Sequence, residues 1–171
     1  MKNIFNILGF QAGWWACVLG TTYEAKYLGP LVMSIFILIH LYYFSNNTEE
    51  IKLIIIFAFI GTAVDTAISL SKIINYNGLY NTNILIAPLW ITAMWCGFTA
   101  TVNHSMAWLQ NRWIESFILG AIFGPLAYLT GAKFGAIQLQ ETKIFVCIIL
   151  ALVWGCSVPA IYWANDRLCL K

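Results

Sequence analysis

Two histidines, His40 and His104, and one aspartate, Asp65, stand inside stretches that are otherwise apolar. A carboxylate near the middle of a membrane span costs about 2.5 to 3.5 kcal/mol on insertion scales, so it faces a bundle interior or a cavity. Asp65 belongs to a series, Thr62, Asp65, Ser69 and Lys72, whose spacings of three and four put it on one helical face. Thr92, Cys96, Thr99 and Asn103 repeat that spacing, with His104 adjoining. Two such stripes are hidden most cheaply by facing each other. Counting about 1.5 Å per residue from the terminal side of the membrane puts Gln11, His40, Asn103 and His104 at similar depth. Asp65 falls deeper and Glu115 at the rim. Gln11, His40, Asp65, Asn103 and His104 therefore form the candidate ligand-binding set. The competing reading is interhelical hydrogen-bond glue, at about 0.6 to 2 kcal/mol per pair.

Several chemistries can be weighed on these residues. An aspartate among imidazoles suits proton-coupled transport or acid–base work on a lipid. His40, His104 and Asp65 would make a two-histidine, one-carboxylate metal set, but no His-x-x-x-His or His-x-x-His spacing supports it, so no metal and no cofactor is expected. Ser105 follows His104, yet neighbours on a helix point about 100° apart, and neither Ser105 nor Ser157 sits in Gly-x-Ser-x-Gly. Intramembrane aspartyl proteolysis needs a second buried aspartate, and Asp166 lies at the end of the last span. The five cysteines form no Cys-x-x-Cys pair, and a disulfide framework or zinc site is not expected.

The elements that must position these residues follow from composition. Of 171 residues, 61% are hydrophobic and 9% charged, against about 25% charged in an average soluble domain. That excludes a water-soluble globular protein and a disordered chain, and a net charge of +2 gives no footing for nucleic acid. A span needs about 20 apolar residues. Six stretches qualify, over 3–22, 28–45, 53–74, 84–110, 114–131 and 143–164. They are continuous apolar runs rather than the alternations of a barrel. The expectation is an all-α polytopic membrane protein, a six-transmembrane-helix bundle forming a single membrane domain over 1–171.

Polar links of Glu24 to Lys26, Asn46 to Lys52, Asn75 to Asn83, Asn111-Arg112 and Gln138 to Thr142 separate the spans. No small-x-small cleavage site follows the first span, which is expected to stay in the mature protein. Lys2, Lys52, Arg112, Arg167 and Lys171 fall on the terminal side, against Lys26, Lys72, Lys133 and Lys143 on the other. That balance favours both termini in the cytoplasm. Gly9 and Gly13, Gly120 and Gly124, and Gly131 and Gly135 are spaced for close helix packing. Tyr42, Tyr43, Tyr76, Tyr80, Trp108, Trp113, Tyr162 and Trp163 read as an interfacial belt. Trp14, Trp15, Trp90, Trp95 and Trp154 sit deeper, where core filling is the expectation and a cavity for a flat or greasy ligand the alternative.

Phe10-Gln11-Ala12-Gly13-Trp14, Leu28-Gly29-Pro30, His40, Asp65, Pro88-Leu89-Trp90, Asn103-His104-Ser105 and Gly124-Pro125-Leu126-Ala127-Tyr128 together resemble an uncharacterised bacterial integral-membrane family, domain of unknown function 2878. The resemblance covers nearly the whole chain and implies a small inner-membrane protein, without bringing an activity or a site. The functional expectation is an intramembrane polar pocket that binds or moves a lipid or small amphipathic molecule, with membrane lipids as its partners. The alternatives are a membrane-embedded lipid-modifying enzyme, or its accessory subunit, using His/Asp acid–base chemistry, and an assembly factor for other membrane proteins.

Overall fold

The computed structural model describes residues 2–45, 48–80 and 86–169. Asn46, Asn83, Ile84 and Lys171, which enter the expectations above, lie outside the described residues, as does the side chain of Cys169. Six α-helices make up the described fold: α1 (Lys2–Thr22), α2 (Leu28–Tyr43), α3 (Thr48–Leu70), α4 (Leu89–Thr99), α5 (Trp113–Lys133) and α6 (Lys143–Cys169). The fold is all-α, as expected. Helices α1, α3, α5 and α6 are long and apolar enough to cross a membrane. Large apolar side chains such as Leu8, Leu38, Phe59, Phe123, Ile144 and Leu152 stand exposed on the helices, as lipid contact requires.

The expectation of six full spans is corrected at α2 and α4, which have 16 and 11 residues. At about 1.5 Å per residue α4 reaches only about 16 Å of a hydrocarbon core roughly 30 Å thick. Pro88 caps its start, and after Thr99 the chain unwinds through turns into a short 3-10 helix at Ala107–Leu109. Side chains replace the lost ladder bonds. Asn6 Nδ2 donates to the Ala100 carbonyl at 3.0 Å, Thr101 Oγ1 to that of Phe98 at 2.6 Å, and the Tyr162 hydroxyl to that of Met106 at 2.7 Å. Ala100, Thr101 and Val102 are buried in protein, the setting in which irregular backbone is tolerated at membrane depth.

Helix α1 packs on α2, α3 on α4, and α5 on α6, with α4 also touching α1 and α2. The glycine stripes work as expected at most positions. A Cβ on Gly120 would strike the backbone of Trp154, one on Gly13 the side chain of Met33, and one on Gly124 the side chain of Trp154. Gly135 serves differently: its φ of 84° ends α5 in a left-handed turn, with Ala136 N–H bonding back to the Gly131 carbonyl. Lys72 ends α3 the same way at φ 56°, which takes it off the expected Asp65 stripe.

Two of the expected polar links contain structure. Ile74–Tyr76 (β1) pairs antiparallel with Ile137–Leu139 (β2), Tyr76 opposite Ile137. The pair ties the end of α3 to the α5–α6 connection. Alternating side chains, Ile74-Asn75-Tyr76 and Ile137-Gln138-Leu139, carry the strand signal.

Candidate functional site

A cavity of about 640 Å³ is lined by residues of α1, α4, the 3-10 helix, α5 and α6, with Ile137 of β2. All five deep tryptophans, Trp14, Trp15, Trp90, Trp95 and Trp154, line it. Core filling is therefore only part of their role, although Trp90 and Trp95 are also fully buried. Trp95 and Trp154 stack with ring centroids 4.5 Å apart and planes 7° from parallel. Gln11, Tyr128 and Thr130 are polar members of the lining, and none of the described lining residues is charged. Thr22 Oγ1 donates to the Phe134 carbonyl at 2.7 Å and Trp15, itself in the lining, meets the Phe134 ring edge-on, which ties α1 to the end of α5. Trp15, Trp108, Phe123 and Leu126 line the cavity and are also exposed, so it opens to the surface beside them.

Asp65 lies behind this wall, fully buried. Tyr76 and Tyr128 donate hydroxyl protons to Oδ1 at 2.6 and 2.5 Å, and Trp95 donates its indole N–H to Oδ2 at 2.6 Å. Three hydrogen bonds to its two oxygens offset the cost of burying the acid and fix the orientation of two cavity-lining aromatics. Gly61, one turn before Asp65, makes the room, because a Cβ there would run into the Trp95 ring. The two polar stripes meet as expected where Thr62 and Thr92 bond at 2.7 Å.

The histidines gather elsewhere, around Glu50, a carboxylate of the polar link between Asn46 and Lys52. Glu50, in the first turn of α3, accepts His40 Nε2 at 3.2 Å and His104 Nε2 at 3.1 Å on the same Oε1. The imidazole rings meet edge to face, centroids 4.5 Å apart. Asn6 flanks His40, with Nδ2 3.4 Å from Nδ1, while its Oδ1 accepts the Ser105 hydroxyl at 2.5 Å.

Of the five expected site residues, the structure thus brings His40 and His104 together and sets the other three apart. Asp65 heads its own cluster, without an imidazole among its hydrogen-bond partners. Asn103 exchanges two amide bonds with Asn165 of α6, at 3.0 and 2.8 Å. Gln11 is exposed at the cavity. Residues missed from sequence are Asn6, Glu50, Tyr76 and Tyr128. Tyr76 and Tyr162, expected in the interfacial belt, are buried, whereas Tyr42, Tyr43, Tyr80, Trp108, Trp113 and Trp163 are exposed as a belt requires.

Over residues 3–160 the chain matches the family described as Protein of unknown function (DUF2878). The chain belongs to that family. The DUF2878 match takes in the cavity, the Asp65 cluster and the histidine–glutamate cluster, while Asn165, the partner of Asn103, lies beyond it. No curated protein and no solved structure matches the chain.

Proposed function

We propose that the protein holds, and passes to or from the bilayer, a lipid or other small amphipathic molecule whose apolar part occupies the aromatic cavity. The observation that carries this reading is a cavity of about 640 Å³ with an uncharged, tryptophan-rich lining that reaches the surface at apolar residues such as Phe123 and Leu126. That volume falls within the roughly 300 to 1,000 Å³ of small-molecule sites. An uncharged wall favours an acyl or similar apolar chain, because a charged group inside would lose its water without gaining a partner. Gln11, exposed at the lining, suits a polar headgroup or linkage near the mouth. Asp65 acts in this reading as a positioning residue, through Tyr128 and Trp95. The protein then works as one membrane domain in a bacterial cytoplasmic membrane, with both termini on the cytoplasmic side. The enzymatic alternative draws no support from the cavity, whose described lining holds no histidine, aspartate or glutamate.

Spin-labelled fatty acid in nanodiscs containing the protein tests the reading. An immobilised population is expected with the wild type and is expected to vanish in Ala127→Trp, which fills the cavity from α5. The same immobilised fraction in both proteins would count against occupancy of the cavity.

A further inference from the structure

We infer that His40, Glu50 and His104 form a binding site for a divalent transition metal, for which zinc is the probe. Two imidazole nitrogens and a carboxylate are the donor set of open zinc sites, which leave a fourth position for water or a ligand. Their ligand atoms all lie within 4.8 Å of one another. The two separations to Glu50 Oε1, 3.2 and 3.1 Å, match the edge of a tetrahedron with metal bonds of about 2.0 to 2.1 Å, which is roughly 3.3 Å. The site is built from three separate elements, α2, the first turn of α3 and the unwound segment after α4. His40 and Glu50 are 0% and 4% exposed, whereas His104 is 15% exposed and provides the approach.

Before a metal enters, the three groups hold one another by hydrogen bonds, and Asn6 sets the proton positions. Its Nδ2 faces the Ala100 carbonyl, which can only accept, and its Oδ1 faces the Ser105 N–H, which can only donate. Nδ2 therefore donates to His40 Nδ1, and the His40 proton resides on Nε2, pointing at Glu50. Zinc takes the Nε2 lone pair. His104 Nε2, which also donates to Glu50, ligates in the same way, and each imidazole stays neutral by releasing its Nε2 proton to water and taking one up on Nδ1. Asn6 Oδ1 can receive the new N–H, the usual outer partner of a metal-bound histidine, only if the amide turns over and gives up its bonds to the Ala100 carbonyl and the Ser105 N–H. Metal binding is thereby coupled to the carbonyl that Asn6 satisfies at the break after α4.

His40 and His104 are the two histidines of the chain, so ¹⁵N-histidine spectra of the wild type decide the matter without a variant. The expected result is one zinc per chain, with both Nε2 resonances shifted and both histidines converted from the Nε2–H to the Nδ1–H tautomer. Glu50→Gln and His104→Gln are expected to weaken zinc binding more than about tenfold, since even outer partners of a metal are worth about 10- to 100-fold. Glu49→Gln, which alters the neighbouring glutamate paired with Lys52 at 2.7 Å, is expected to bind as the wild type does. Unshifted imidazole nitrogens in the folded wild type at saturating zinc would overturn the assignment. So would equal affinity in Glu50→Gln and Glu49→Gln.

Discussion

Trp95 donates its indole N–H to Asp65 Oδ2 over 2.6 Å while its ring lies in the cavity wall, stacked on Trp154. A buried carboxylate thus fixes an aromatic surface that it does not itself form. Asp65→Asn keeps the volume but turns one acceptor into a donor, which must face either the Trp95 N–H or the two tyrosine hydroxyls. A loss of about 1 to 3 kcal/mol is expected, the cost of a buried donor left without an acceptor. Thermal unfolding in detergent measures it, and unchanged stability would refute the role given to the carboxylate.

Gly61 gives a second handle on the same wall. Because the Trp95 ring rests where a Cβ would stand, Gly61→Val is expected to push the indole off Asp65 and destabilise the protein by about 1 to 3 kcal/mol. The companion Gly61→Val/Trp95→Phe protein tests the mechanism. The valine is expected to cost less there, since the Trp95–Asp65 bond is already absent. An undiminished cost would place the effect elsewhere.

At the unwound segment, Asn6→Ala removes the donor that satisfies the Ala100 carbonyl. The expected signature is faster amide exchange over 100–106, with a stability loss of about 1 to 3 kcal/mol. Exchange confined to the amino terminus would show that Asn6 does not support the break.

Asn103 and Asn165 pair through both amides. A double-mutant cycle to alanine is expected to return a coupling of about 0.6 kcal/mol, with about 1.7 as the upper end for membrane pairs. Zero coupling would mean that each amide finds another partner when its mate is removed.

Much of this arrangement is legible in the chain, for reasons that also explain where legibility stops. Asp65 stands out because burial cost is a local property, and its stripe meets the α4 stripe at Thr62 and Thr92 because both spacings are helical. Glu50 is hidden in Asn-Asn-Thr-Glu-Glu-Ile-Lys, where two adjacent glutamates read as a solvated link. Only the fold separates Glu49, paired with Lys52, from Glu50, buried between two histidines. Asn6 follows Lys2 and Asn3 within little more than a turn and reads as part of a polar amino-terminal end. Depth counting placed Gln11 with the histidines, but depth says nothing of which way a side chain turns about its helix. The break of α4 rests on donors from α1 and α6, Asn6 and Tyr162, so no local signal announces it. Tyr76 reaches Asp65 only because β1 pairs with a strand about sixty residues away in sequence.

The claim that the cavity holds a lipid-like molecule is tested most directly by mass spectrometry of what co-purifies with the protein in mild detergent. The comparison sets the wild type beside Ala127→Trp and beside Asn103→Ala, whose residue is not part of the cavity lining. A defined lipid or amphipathic species is expected near one per chain in the wild type and Asn103→Ala, and absent from folded Ala127→Trp. Identical species in identical amounts from all three folded proteins would contradict it.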